Sequence, residues 1–407
     1  MELREVDIYD ADNYLADVPH EMFATLRREA PVHWHADPNG RGFWAVTRHA
    51  DIVTVNRDAR TYSSWVGGAL LDEMDNEEAI AQSRLMMLNM DPPEHTRLRK
   101  IVNKGFTPRR IRDLMEALSG RAEAIVTSAA EKGACDFVTD ISCELPLQAI
   151  AELMGVPQED RHLVFEWSNR MIGFDDPEFQ TSEEDTRVAA VEMWAYAQEL
   201  AVDKRKNPQD DIVTALLEAE VDGERLSDMD FNMFFLLLAV AGNETTRNAI
   251  SHSMLALIEH PEQRRKLIED PSRIDLAVEE FLRWATPVMN FRRTATVDTV
   301  LAGQEIKAGD RVVMWHMSGN RDGAVFDRPY DFDIQRDPNL HLQQIAFGGG
   351  GPHFCLGANL ARAEMKIMIG AVLRVLPDME LAGPVERLRS NFINGIKRMP
   401  VSFAPLR

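Results

Sequence analysis

Four glycines in succession open the stretch Phe347-Gly348-Gly349-Gly350-Gly351-Pro352-His353-Phe354-Cys355-Leu356-Gly357. Such a run excludes a helix and weakens a strand. The residues that follow, Ala358-Asn359-Leu360-Ala361-Arg362-Ala363-Glu364-Met365-Lys366-Ile367, are rich in helix formers. A bare loop therefore delivers Cys355 to the start of a helix. There the unpaired backbone N–H groups and the positive dipole end favour a thiolate and predict a lowered pKa. The glycines let backbone approach something bulky. A thiolate so held is suited to be a nucleophile or a metal ligand, and the competing reading is a buried free cysteine in a turn. His353 two residues before and Gly357 two after tip the balance toward chemistry.

The rest of the chain gives this loop its setting. With 407 residues, 45% of them hydrophobic and 27% charged, the composition is that of a globular protein with a large core. The first residues, Met1-Glu2-Leu3-Arg4-Glu5-Val6-Asp7, are unlike a secretory or transit peptide. The apolar run Met233–Ala241 is too short to span a bilayer. Both predict a cytoplasmic location. A net charge of −21 argues against nucleic acid as a partner. Cys135, Cys143 and Cys355 form neither a CxxC pair nor zinc spacing, so free thiols are expected.

Short β-type pieces stand near both ends, at 31–34, 43–47, 293–297, 299–301 and 311–314. Between them the patterning predicts helices over about 93–104, 109–131, 142–154, 159–171, 184–205 and 275–284. The longest runs from a Ser227 cap to His260-Pro261 and is long enough to cross the molecule. Asp91 before Pro92-Pro93-Glu94 reads as an N-cap. The expected fold class is mainly α with small β-sheets, in one domain over 1–407.

Three further constellations carry chemistry. In the long helix, Ala241-Gly242-Asn243-Glu244-Thr245-Thr246 interrupts a leucine-rich pattern. Glycine lets a ligand approach, the threonine hydroxyl can open a local bulge, and an acid beside an alcohol suits proton delivery; close helix packing through small residues is the alternative. Glu280 and Arg283 are spaced for an ion pair, by themselves an ordinary surface pair. His95 and Arg99 share one face of the helix after Pro93, a face suited to a carboxylate-bearing ligand. Arg97, Lys100 and Lys104 lie on the other, and the bland alternative is a solvated basic helix.

Together the Cys355 loop, Ala241–Thr246 and Glu280-Phe281-Leu282-Arg283 resemble the signatures of the cytochrome P450 family, in its order and at its separations, across essentially the whole chain. The resemblance implies a haem b cofactor with Cys355 as the axial ligand of its iron. It implies catalytic roles for Glu244 and Thr245 in proton delivery. His95, Arg99, Arg293 and His353 become propionate partners, with Phe347 and Gly357 completing the cofactor-binding loop. Glu280 and Arg283 become a buried structural pair, joined by Arg336. The family's phenylalanine stands seven residues before the cysteine; here Phe347 stands eight before, so one residue is extra. The acid is Glu where Asp is commoner.

Within the family, Met87-Leu88-Asn89-Met90-Asp91, Cys143–Ile150, Val240–Asn248, Arg283–Val288 and Asn394-Gly395-Ile396-Lys397, with the extra glycine, look like the soluble sterol side-chain and branched-lipid ω-hydroxylases. The reading implied is a monooxygenase that inserts one oxygen atom from O2 into a terminal C–H bond of a sterol ketone or branched lipid. A ferredoxin and an NAD(P)H-dependent ferredoxin reductase supply electrons, the former docking on Arg97, Lys100, Lys104, Arg109 and Arg110. The substrate pocket is expected to be apolar, lined by Leu237, Ala241, Val288, Phe291 and Ile396, with Thr245 and side chains of 65–90. The alternatives are a P450 for a terpenoid or macrolide, and a thiolate-haem binding protein without turnover.

Overall fold

Buried on almost every side, the helix Asp228–Glu259 is the axis about which the chain packs. Its 32 residues span about 48 Å at ~1.5 Å per residue. Ser227 and Asp230 close its N-terminus reciprocally: Ser227 Oγ accepts from the Asp230 N–H, and the Asp230 carboxylate accepts from the Ser227 N–H, both at 3.1 Å. Apolar residues surround the axis without an amphipathic stripe, as a helix wrapped by others requires. Against it pack Glu144–Met154, Arg161–Ile172, Glu183–Lys206, Ile274–Ala285 and Ala358–Val375. The computed structural model describes residues 1–405 apart from 39, 72–75, 105, 107, 173–174, 180–181 and 222.

The expected helices form within a residue or two of their predicted ends, as Glu94–Asn103, Pro108–Ala130, Arg161–Ile172, Glu183–Lys206 and Ile274–Ala285. The segment expected to be helical from 142 instead passes through a π-type turn, Val138–Ser142, before Glu144–Met154. Asp91 does not cap the next helix with its side chain. Prolines at 92 and 93 remove N–H groups that a cap would bond. Its carboxylate accepts instead from Ser63 Oγ at 2.5 Å and Ser64 N at 2.8 Å, while its carbonyl takes the His95 N–H.

The small β-segments of the two chain ends join in one five-stranded sheet, ordered Val32–His35, Phe43–Val46, Arg311–Trp315, Asn290–Ala295, Tyr62–Ser63. Phe43–Val46 and Arg311–Trp315 pair in parallel; the other neighbours are antiparallel. This sheet carries Arg293 and Phe291. A bridge between Val288 and Ile393 brings the C-terminal turn to the same region. The molecule is mainly helical with small sheets.

Candidate active site

The cysteine loop is built from left-handed backbone. Gly348, Gly349, Gly350 and Gly351 have φ of 99°, 66°, 107° and 81°, a region open to glycine and costly for other residues. At Gly351 a Cβ would stand 2.2 Å from the Asn56 carbonyl oxygen. The extra residue is thus absorbed in a coil of four glycines, and the turn closes normally: Cys355 N donates to Phe347 O at 3.1 Å. Phe347 lies edge-on to Phe354, with the Arg362 guanidinium 4.5 Å from its ring centre. Gly357 is the N-cap of Ala358–Val375.

Cys355 is exposed, yet protein crowds its thiol closely. Its thiol differs from the sequence expectation. Burial pushes its pKa up, and the Gly357 N–H with the Arg99 and Arg362 guanidiniums offsets only part of that. One helix terminus is too weak to outweigh desolvation; a metal ion, with a far larger local charge, deprotonates a coordinating thiol.

Beside the loop sits a cluster of basic side chains. His95 and His353 lie 4.3 Å apart between ring centres. Arg99, one turn after His95, donates to the carbonyls of Pro352 at 3.3 Å and Phe354 at 2.5 Å. Arg293 is buried and donates to its neighbour's carbonyl, Arg292 O, at 2.7 Å. Among the described residues no carboxylate forms an ion pair with Arg99 or Arg293; Asp91 is the acid whose field reaches Arg293. Burial and mutual repulsion hold His95 down at about 4 and His353 down at about 2, and burial draws Arg293 down to about 10. The cluster is short of negative charge, and a flat ligand with two carboxylates fits it. No three His, Cys, Asp or Glu side chains among the described residues converge to hold a metal, so the lone thiolate suits an ion that brings its own further donors.

Leu237, Ala241 and Thr245 are partly or fully open on a helix whose flanking turns are buried. Spaced at four residues, they form one open stripe along the helix. Thr245 Oγ donates to Ala241 O at 2.7 Å. The helix is unbroken there, so the hydroxyl opens no bulge. Gly242 serves packing: a Cβ would approach Ile150 Cδ1 to 2.7 Å. Glu244, one residue before Thr245, is turned about 100° around the axis. It is buried and paired with Arg247, so the structure does not bring its carboxylate to the Thr245 face.

Val288 and Phe291 are partly open, with Phe291 edge-on to Phe392 at 5.7 Å. Ile396 corrects the expectation. It is wholly buried, and its N–H is committed to Asn248 Oδ1 at 3.0 Å, so it belongs to the core. Phe392, beside Phe291, is partly open. Of 65–90, Trp65 and Val66 are exposed, Trp65 under the Arg84 guanidinium at 4.9 Å, and Met74 lies outside the described residues. The sequence reading also missed Ser64, whose hydroxyl meets His353 Nε2 at 3.3 Å; nothing in its local pattern marks it.

Glu280 and Arg283 are fully buried and meet in a two-pronged pair, both contacts 2.7 Å. Arg336 adds a third donor at 3.2 Å, and Asp333 N a fourth at 3.0 Å. Arg283 also donates to the carbonyls of Asn320, Pro329 and Asp331, drawing the connection before the glycine loop onto Ile274–Ala285. On the basic face Lys100 is exposed. Lys104 is spent on Glu220 O at 2.5 Å, and Arg109 faces Asp113 at 3.6 Å. The Arg110 side chain lies outside the described residues.

The model of the family "Cytochrome P450" matches residues 146–376. A steroid C26-monooxygenase of Rhodococcus jostii (strain RHA1) is 47% identical over 405 residues, covering 98% of this chain and 84% of the relative. A methyl-branched lipid omega-hydroxylase of Mycobacterium tuberculosis (strain ATCC 25618 / H37Rv) is 41% identical over 414 residues, covering 99% and 95%. Among solved structures, a Mycobacterium marinum cytochrome P450 in complex with pseudoionone superposes with a TM-score of 0.90 at 41% identity, covering 98% of both chains.

Proposed function

The chain belongs to the cytochrome P450 family, and from that premise we propose that it hydroxylates a terminal methyl group on the side chain of a sterol ketone or branched lipid. One observation carries this reading: the identity of 47% to a steroid C26-monooxygenase runs through 98% of the chain. The apolar stripe of Leu237 and Ala241, with Val288, Phe291 and Phe392 partly open, supports it, since such a lining binds by desolvation.

When bound, the haem supplies O2 activation. The protein's part falls to named residues. Cys355 would hold the iron, and Phe347 and Gly357 shape its loop. His95, Arg99, Arg293 and His353 would hold the two propionates of a haem b. Leu237, Ala241, Val288, Phe291 and Phe392 would exclude water and aim the substrate's end. Thr245 Oγ would pass protons that Glu244 supplies. Glu280 with Arg283 would fix the connection that leads into the cysteine loop. A ferredoxin, reduced by an NAD(P)H-dependent reductase in the cytoplasm, would meet the face carrying Arg97 and Lys100. No helix among the described residues is long and apolar enough to cross a membrane.

A second reading, an isoprenoid ketone as substrate, is favoured by the pseudoionone complex of the M. marinum neighbour. Spectral titration with sterol ketones, branched fatty acids and isoprenoid ketones separates the two. The sterol or branched-lipid reading expects the tightest low- to high-spin shift and a terminally hydroxylated product from its own class. Tighter binding and turnover of the isoprenoid would overturn it.

A further inference from the structure

A cavity of about 310 Å³ opens where the first loop of the chain meets the turn before its last strands. Asp7 and Asp10 line it, with Asp175, Arg389, Leu71 and Phe392. Asp7 and Asp10 are exposed, Leu71 is buried and Phe392 is half-buried, so one end of the cavity is acidic and the other apolar. The apolar end adjoins the lining already described. Phe392 O accepts the Met289 N–H at 2.8 Å, and the Phe392 ring lies edge-on to Phe291 at 5.7 Å.

Charge around this cavity does not balance. Arg389 is the cation among its described lining residues, and it is already engaged: Nε donates to Asp12 Oδ1 at 2.6 Å and Nη1 to Asp175 O at 2.8 Å. Asp7 Oδ1 accepts the N–H groups of Tyr9 at 3.0 Å and Asp10 at 3.1 Å, and Asp10 Oδ1 accepts that of Asp12 at 2.9 Å. Those bonds shape the loop and bring no positive charge. His35, 3.7 Å from Asp7, is no counter-ion either. Its Nε2 accepts the Ile8 N–H at 3.2 Å, so the ring is neutral and Nδ1 donates to Ala36 O at 2.6 Å. Asp176, which accepts the Arg389 N–H at 3.0 Å, is matched by Lys397 at 3.1 Å. The lining keeps an excess of negative charge. Arg389 keeps one arm, Nη2, without a bond among the described residues.

We infer that this cavity receives the end of the substrate remote from the oxidised methyl group, and that it admits an uncharged end bearing an acceptor oxygen and repels a carboxylate. On the terminal-hydroxylation reading given above, on which this rests, the cavity selects a sterol ketone over an ionised branched fatty acid. A carboxylate there would add a like charge beside Asp7 and Asp10, a repulsive element that sets specificity without any new contact. A ketone oxygen meets no such repulsion, and Arg389 Nη2 is a charged donor for it.

Spectral titration of the haem-loaded protein with isostearic acid and its methyl ester isolates the charge, since both carry the same branched tail. At low salt the ester should bind about 10-fold tighter, the effect of two like charges at ~6 Å in a water-like dielectric. The gap should shrink at high salt. Asp7→Asn with Asp10→Asn keeps acceptors for the loop N–H groups and should narrow the gap to about 3-fold or less by tightening the acid. Arg389→Gln should weaken cholestenone by about 10-fold and widen the gap between ester and acid. The parent and the Asp variants decide the matter if the Arg389 variant does not fold. A gap that salt and the Asp variants leave unmoved, or an Arg389→Gln variant that loses the acid more than the ester, overturns the inference; terminal hydroxylation of the probes in that case leaves the hydroxylation reading standing. If neither cholestenone nor the ester shifts the haem spin state, the hydroxylation reading fails and the inference with it.

Discussion

Replacing Arg293 with Gln separates a cofactor-binding cation from a structural one, because the two roles predict opposite signs. Arg293 is 3% exposed, and among the described residues its guanidinium meets no carboxylate and donates to Arg292 O. Burial draws its pKa down to about 10, which charges on the order of 3 kcal/mol against the haem-free fold. Losing the bond to Arg292 O costs ~1 kcal/mol, so the haem-free variant should gain about 1–2 kcal/mol. The pH sign agrees. A cation whose folded pKa lies below its unfolded value destabilises the fold fully below about 10, and the penalty lifts as pH rises above that. The variant should lack that alkaline relief. In the loaded protein the substitution removes a charge-assisted bond worth ~1.5–3 kcal/mol, or about 10- to 100-fold in the rate of haem loss. Melting of the haem-free protein gives the first quantity, and haem transfer from the ferric protein to an excess of haem-free globin gives the second. A variant that melts lower without haem and holds haem as firmly as the parent would refute the assignment.

The Glu280–Arg283 pair predicts the reverse. Arg283→Met strands a fully buried carboxylate and should cost about 3–5 kcal/mol in urea unfolding, the usual penalty for breaking such a pair. Burial alone would raise the Glu280 pKa; Arg283, His341 and Arg336 overcome it and hold it well below the carboxylate range. That stability is present above the ordinary value of 4.5 and is lost as pH falls through the depressed one, so the variant should unfold at a less acidic pH than the parent. In the cysteine loop, Gly351→Ala forces a Cβ to within 2.2 Å of a carbonyl oxygen at φ 81°, whereas Gly357→Ala meets nothing within 4 Å. The first should abolish the red-shifted Soret band of the reduced, CO-bound protein and the second should keep it; equal bands would show that the glycine coil is dispensable.

Local signals carried most of the helices. Ser227 with Asp230, Pro108 and Pro261 mark boundaries through backbone chemistry that needs no tertiary partner. Where tertiary contacts decided, the pattern was silent. Strand Phe43–Val46 finds Arg311–Trp315 across more than half the chain, in a parallel register that no turn sets. Asp91 looked like a cap and became an anchor for Ser63 and Ser64, since the two prolines after it removed the nearest N–H groups.

At the site, legibility followed how far each side chain's role depends on direction. Cys355 and the glycines were readable because their covalent character limits what they can do. Glu280 with Arg283 was readable as a pair by spacing; its burial came from the resemblance. Ile396 was misassigned because its burial depends on how the C-terminal turn packs against the long helix, which no local pattern sets. Glu244 and Thr245 show the same limit in a helix. Adjacent letters read as one acid–alcohol unit, yet about 100° of rotation separates their side chains, and Arg247 holds the acid on its own side. A relay between such neighbours requires motion, so the alcohol alone is in place at rest.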